Sequence, residues 1–132
     1  LPAGVGGKVL QVVNATTDSQ STTSSGSFVT TGFSISITPS SASSKIFIIF
    51  SGPMEASGDR HYLTIFRDAT NLGITNGMVE CRVDWNSAAM SYLDSPSTTS
   101  STTYAIYHRA FSGTVEFNNT TRSSLTAYEI AG

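Results

Sequence analysis

The sequence predicts an all-β chain, an antiparallel β-sandwich of jelly-roll type with about eight or nine short strands. Three observations carry that prediction. Apolar and polar residues alternate over short runs, and turn-forming residues bound those runs. No stretch keeps apolar residues at i, i+3, i+4 and i+7 over three helical turns. Short strands each need a face to bury, and two sheets packed face to face supply one.

The elements are expected in the following order. Residues 9–13 form the first strand. Phe33, Ile35 and Ile37 alternate with Ser34, Ser36 and Thr38, which puts three apolar side chains on one buried face before Pro39 ends the strand. Residues 45–51 are apolar on both faces, so this strand should be central and covered twice, once by the second sheet and once by a neighbouring subunit. Alternation resumes in 60–67, where Tyr62, Thr64 and Phe66 oppose Leu63 and Ile65. The Asp68-Ala69-Thr70-Asn71 segment reads as a turn, followed by a short strand at 72–74. Further strands are expected at 88–93, 102–111, 114–117 and 124–130, with Ser112-Gly113 as a tight hairpin. The Ser/Thr-rich stretches 14–27 and 95–103 read as solvated connectors or as hydroxyl-lined subunit contacts.

Composition limits the function. The chain has 132 residues, enough for a single modest core. Residues 8–132 read as one domain and 1–7 as a linker from a preceding segment. Serine and threonine supply 22 and 18 residues and charged residues only 12%, yet 39% are hydrophobic and grouped into runs, so the chain folds rather than staying disordered. A net charge of −2 with seven scattered Lys and Arg gives no basic stripe for nucleic acid. No apolar run approaches the roughly eighteen residues that span a bilayer, so membrane insertion is not expected. A single cysteine, Cys81, allows no internal disulfide.

The chemistry of catalysis is missing from the motifs. There is no phosphate-binding glycine loop and no Gly-x-Ser-x-Gly elbow. His61 and His108 could hold a metal only by meeting their copies on a symmetry axis, and neither a metal nor any other cofactor is expected. Nine acidic residues leave room for a glycoside-cleaving pair in principle, but so short a chain offers little depth for a polysaccharide groove. The expectation is a protein that is not an enzyme.

Binding is better supported. Counting antiparallel strands from residue 9 puts loops 14–27, 52–59, 75–87 and 112–113 at the end far from the chain's entry, and 39–44, 68–71, 95–101 and 118–123 near it. The far set holds the more varied chemistry. A sugar site needs an aromatic face for the apolar side of the ring and Asn, Asp or Arg for its hydroxyls. Trp85 beside Asp84 and Asn86, with Asp59, Arg60 and Asn76 from neighbouring loops, has that composition. The competing roles are a core plug for Trp85 and a surface ion pair for Asp59 and Arg60.

Segments in order also carry a resemblance. Gly7-Lys8-Val9-Leu10-Gln11-Val12-Val13 opens the series, and Ser34-Ile35-Ser36-Ile37-Thr38-Pro39-Ser40-Ser41-Ala42-Ser43-Ser44-Lys45-Ile46 follows. Phe66-Arg67-Asp68 then leads to Asn71-Leu72-Gly73, and Tyr92-Leu93-Asp94-Ser95-Pro96 to Thr102-Thr103-Tyr104. Gly113-Thr114-Val115, Phe117-Asn118 and Leu125-Thr126-Ala127-Tyr128-Glu129-Ile130 complete it. The chain resembles the C-terminal head domains of tail fibre and other virion proteins, notably of marine and cyanobacterial phages. The resemblance spans nearly the whole chain and departs from the family in 74–89, around Met78, Cys81, Asp84 and Trp85. It implies a homotrimeric β-sandwich head in the virion, on a tail fibre or another surface appendage, that binds a host-surface glycan, polymer or protein. A purely structural trimerisation or capping module is the alternative, and a glycan-degrading enzyme a more distant one.

Overall fold

The computed structural model describes residues 7–57, 59–82 and 84–132; most of the segment read as a linker, 1–6, lies outside the described residues. The strands in chain order are β1 (Val9–Thr17), β2 (Ser21–Thr23), β3 (Val29–Ile37), β4 (Lys45–Glu55), β5 (His61–Arg67), β6 (Thr70–Asn71), β7 (Val79–Cys81), β8 (Trp85–Asp94), β9 (Thr102–Ala110), β10 (Val115–Phe117) and β11 (Ser123–Ile130). Among the described residues every regular element is a strand, and the strands form two antiparallel sheets.

The first sheet has the order β1-β11-β4-β10-β2, with β8 on the other side of β4. Both β10 and β11 run antiparallel to β4, Phe117 opposite Met54 and Ser124 opposite Ser51, so they are two pieces of one interrupted line. The pieces β1 and β2 flank them in the same way, Thr17 opposite Ser123 and Ser21 opposite Phe117. The second sheet has the order β3-β9-β5, with β6 and β7 sharing the far side of β5. One end of the sandwich carries Val9, Lys45, Asp94 and Ile130 and is called the entry end. The distal end carries Glu55, His61, Cys81, Trp85, Ala110 and Val115.

The core lies between the sheets. Ile46, Ile48, Phe50, Met54, Met90 and Leu125 face Phe33, Ile35, Ile37, Leu63, Ile65 and Ile106, all buried. Alternation in β4 leaves Phe47 half-buried and Ile49 exposed on the opposite, outer face. There the registers align one apolar row across the whole sheet: Val12 opposite Tyr128, Tyr128 opposite Phe47, and Phe47 opposite Leu93. Val12 and Leu93 are more than half exposed. The next rows toward the distal end, Asn14-Thr126-Ile49-Ser91 and Thr16-Ser124-Ser51-Ala89, carry no charge. The outer face of the second sheet is instead covered by the chain itself: Tyr107 stacks on Phe66 at 3.9 Å, and the Arg109 guanidinium lies 4.3 Å from the Tyr62 ring and 5.4 Å from that of Phe28.

Several local expectations are corrected. Half of the Ser/Thr stretch 14–27 is strand, because β-branched threonine suits an edge with one face in solvent. β4 does not stop at Ser51 but runs through Pro53 to Glu55. A residue's N and C=O point to the same side of a strand. Pro53 O accepts the Asn118 N–H at 3.1 Å, so its nitrogen faces the gap between β10 and β11, where a missing donor costs no ladder bond. The turn after β5 takes only Asp68 and Ala69, with Asp68 at φ 49°, so the short strand comes at 70–71 rather than 72–74. Ser112-Gly113 is no hairpin: β9 belongs to the second sheet and β10 to the first, so the chain crosses between layers there.

Candidate functional site

At the distal end of the first sheet the line β10–β11 breaks. Asn118 enters the left-handed region, φ 55°, and is fully buried. Its side-chain amide donates to Thr17 O at 3.1 Å and Ser19 O at 3.3 Å, pinning the first residue of the break to the neighbouring line. Residues 119–122 then stand out on the surface before Ser123 returns to the interior. Against this loop lies Trp85, the first residue of β8, opposite Glu55 in register. β8 points Ala88 and Met90 inward, so alternation turns Trp85 outward, and it is 42% exposed. It does not plug the core.

Trp85, Pro53, Asn119, Thr120 and Thr121 line a pocket of about 230 Å³. A second depression of about 470 Å³ adjoins it through Pro53 and Thr121 and runs along Ser51, Gly52, Ser87, Ala88 and Ala89 to Arg122. Together they form a shallow groove lined by an indole, a proline, several hydroxyls and one guanidinium.

The six residues expected to form the site are not one cluster. Trp85 lines the groove. Asp59 and Arg60 pair with each other at 3.7 Å, and Arg60 also covers the Phe111 ring at 4.7 Å. The Asn76 side chain accepts from Arg109 at 2.6 Å, which places it over the outer face of the second sheet, opposite to that of Trp85. The reason is that 74–77 is a turn off the edge of β5: Gly77 N donates to Ile74 O at 2.8 Å and Met78 N to Leu63 O at 2.8 Å. Asp84 has φ 48°, and its carbonyl accepts from the Cys81 thiol at 3.4 Å. Asn86 donates to Cys81 Sγ at 3.1 Å, on the side of β8 away from the indole. Gly58 and Val83, within two of the expected loops, lie outside the described residues.

The loop that does join Trp85 was assigned to the opposite end of the sandwich. Counting loops assumes that each one reverses the chain, whereas 118–122 interrupts a line that then continues in the same direction. The signal in the sequence was Asn118-Asn119 followed by Thr120-Thr121, polar residues that break the alternation between Phe117 and Leu125.

The histidines lie elsewhere, fully buried between the sheets. His61 Nδ1 is 2.9 Å from Glu55 O, His61 Nε2 is 3.1 Å from His108 Nδ1, and His108 Nε2 is 3.3 Å from Ser21 Oγ. A carbonyl only accepts, so His61 carries its proton on Nδ1, His108 on its own Nδ1, and Ser21 donates to the end of the chain. Burial, reinforced for His61 by the neighbouring ring, lowers both from 6.5, His61 to about 3 and His108 to about 4. Rings enclosed in this way cannot meet copies of themselves on a symmetry axis. Among the described residues no three His, Cys, Asp or Glu side chains gather as a metal site.

No family model matches the chain, and no curated protein matches it significantly.

Proposed function

We propose that this domain is the homotrimeric head of a phage tail fibre or related virion appendage, and that it binds a host-surface glycan at the distal groove. The observation that carries the binding half is the exposed indole of Trp85 set against Pro53 and the 119–121 loop. An exposed aromatic face costs solvation unless a ligand covers it, and a pyranose ring has an apolar side of matching size. The amide of Asn119 and the hydroxyls of Thr120 and Thr121 supply hydrogen-bonding partners beside it. Trp85→Ala should reduce adsorption to host cells at least tenfold while the far-ultraviolet circular dichroism stays native, since an outward side chain contributes little to the core. Native adsorption by a folded Trp85→Ala protein removes the site.

The jelly-roll reading is supported by the strand order. With β1/β2, β6/β7 and β10/β11 each counted as one line, the first line lies beside the last, and the chain passes between the sheets at nearly every connection. Trimerisation is supported by the Val12-Tyr128-Phe47-Leu93 row. An apolar stripe across four strands with no cover of its own is what an interface between copies buries. Light scattering of the native domain should give a mass near three chains, and Phe47→Glu should yield a folded monomer. A native monomer overturns the trimer. The same row would serve a module that only trimerises, and the adsorption of Trp85→Ala separates that reading from receptor binding.

A further inference from the structure

We infer that the distal groove selects anionic saccharides, with Arg122 as the residue that takes the carboxylate, sulfate or phosphate of the sugar. The inference rests on the glycan-binding reading and adds the charge of the ligand to it.

Three observations point the same way. The first is the lining itself. The groove is lined by hydroxyls from Ser51, Ser87, Thr120 and Thr121 and the amide of Asn119, with Glu55 and Glu116 beside Trp85 in the pairing but outside the lining. In a chain with nine acidic and seven basic residues, the groove has drawn one cation and no anion. The second is the state of that cation. Arg67, Arg82 and Arg60 are ion-paired with Asp94, Glu80 and Asp59, and Arg109 donates to Asn76 and Thr75. Arg122 has no such partner among the described residues; the carboxylates nearest it in the pairing are Asp18, which follows the Thr17 partner of Ser123, and Glu55 and Glu116, which continue the row of Trp85 across the same face. The third is the spacing built by the fold. Trp85 and Ser87 are two residues apart on β8, and Thr121 borders both depressions. A sugar chain that starts on the indole and extends over Pro53 and Ser87 passes into the depression that Arg122 lines. A planar guanidinium matches a carboxylate or sulfate with two parallel hydrogen bonds, which a neutral hexose cannot offer. A cationic sugar would meet the guanidinium as a like charge.

Affinity electrophoresis of the intact domain tests this, in gels containing a polyuronate, a sulfated galactan or neutral dextran. The native protein should be retarded by at least one anionic polymer and at least tenfold less by dextran, and added salt should weaken the retardation. Arg122→Gln should lose at least tenfold of the affinity for the anionic polymer, and Arg122→Lys should recover part of it. The preferred polymer distinguishes carboxylate from sulfate as the recognised group. Equal retardation by dextran, an Arg122→Gln protein that binds as tightly as native, or no retardation by either anionic polymer overturns the inference. Because Arg122 is exposed, its variants keep the fold, and adsorption of Trp85→Ala to cells is scored separately. If that variant adsorbs like native, the underlying glycan-site reading fails; if only the Arg122 results fail, that reading stands with a neutral ligand.

Discussion

Lowering the pH from 7 to 4 is expected to reduce the thermal unfolding temperature of the domain by 10 °C or more. The cause is the buried His61–His108 chain. In the unfolded state a histidine takes up its proton near 6.5, whereas in the fold His108 does so at about 4 and His61 at about 3. Between these limits the unfolded chain binds more protons than the folded one. Stability is therefore complete above pH 6.5 and is lost as the pH falls through 6 and 5 toward 4. Each unit of displacement corresponds to about 1.4 kcal/mol, so one histidine displaced by two units removes about 3 kcal/mol from a domain whose whole stability is of order 5–15 kcal/mol. For a chain of this length about 3 kcal/mol translates into about 10 °C. The loss is cooperative with structure, because a proton on His61 Nε2 or His108 Nε2 turns an acceptor into a donor facing a donor. Glu55 and Ser21, at the two ends of the chain, belong to β4 and β2, and the rings to β5 and β9, so the distal contact between sheets gives way. Scanning calorimetry at pH 7, 6, 5 and 4 measures the effect. His108→Gln, which cannot titrate, should flatten the slope over this interval even though it starts less stable. A native melting temperature that holds from pH 7 to 4 contradicts the assignment. Carboxylates act in a lower window. Burial alone would raise Glu129, but hydrogen bonds from Gln11 and Ser40 outweigh it and hold the group at about 2, so its contribution is present above pH 4.5 and fades only as the pH falls toward 2.

Asp94→Ala should cost about 3–5 kcal/mol and about 10–20 °C in melting temperature. Asp94 closes β8 at the entry end and is buried. Its oxygens accept two bonds from Arg67 Nη1, at 2.7 and 3.0 Å, and one from the Tyr104 hydroxyl at 2.6 Å. Arg67 and Tyr104 belong to β5 and β9, so one carboxylate ties the edge of the first sheet to two strands of the second. Removing it leaves a buried hydroxyl and a largely enclosed guanidinium unsatisfied, and that penalty outweighs the lost attraction. Burial and the bond to Asp94 also raise the Tyr104 phenol above its ordinary range, so this hydroxyl stays a donor at any pH of interest. A double-mutant cycle checks the coupling. Tyr104→Phe should destabilise the native protein by about 1–2 kcal/mol but cost nothing further once Asp94 is alanine. Equal costs in both backgrounds would mean that the two groups stabilise the fold independently.

The sandwich was legible in the sequence because the alternation that names a strand also names its buried face. Phe33, Ile35 and Ile37 were assigned inward and lie inward, and the doubly apolar 45–51 segment is a central strand of its sheet. Its second apolar face was legible too, as Phe47 and Ile49, although what covers them belongs to the proposal. The Ser/Thr strands were not legible, since a strand of hydroxyl side chains at the edge of a sheet has no apolar period to announce it. Trp85 was identified as a binding candidate, but its companions were not. Asp59, Asn76 and Asn86 were grouped with it by residue type, and each turned out to have a partner of its own in Arg60, Arg109 and Cys81. The 118–122 loop was missed because its position depends on the chain continuing in register after a break. That is a property of pairing, which a count of strands does not contain.

The same break has a bearing on how such a surface can diversify. Phe117 is fixed opposite Met54 before it and Ser124 opposite Ser51 after it, and Asn118 is anchored by its own side chain and backbone. The folding code of the sandwich is thus written on both flanks of residues 119–122 and not in them. These four residues are an insert on a finished scaffold, so substitutions there are expected to leave the fold intact, and under the proposed function they would change which ligand the groove prefers.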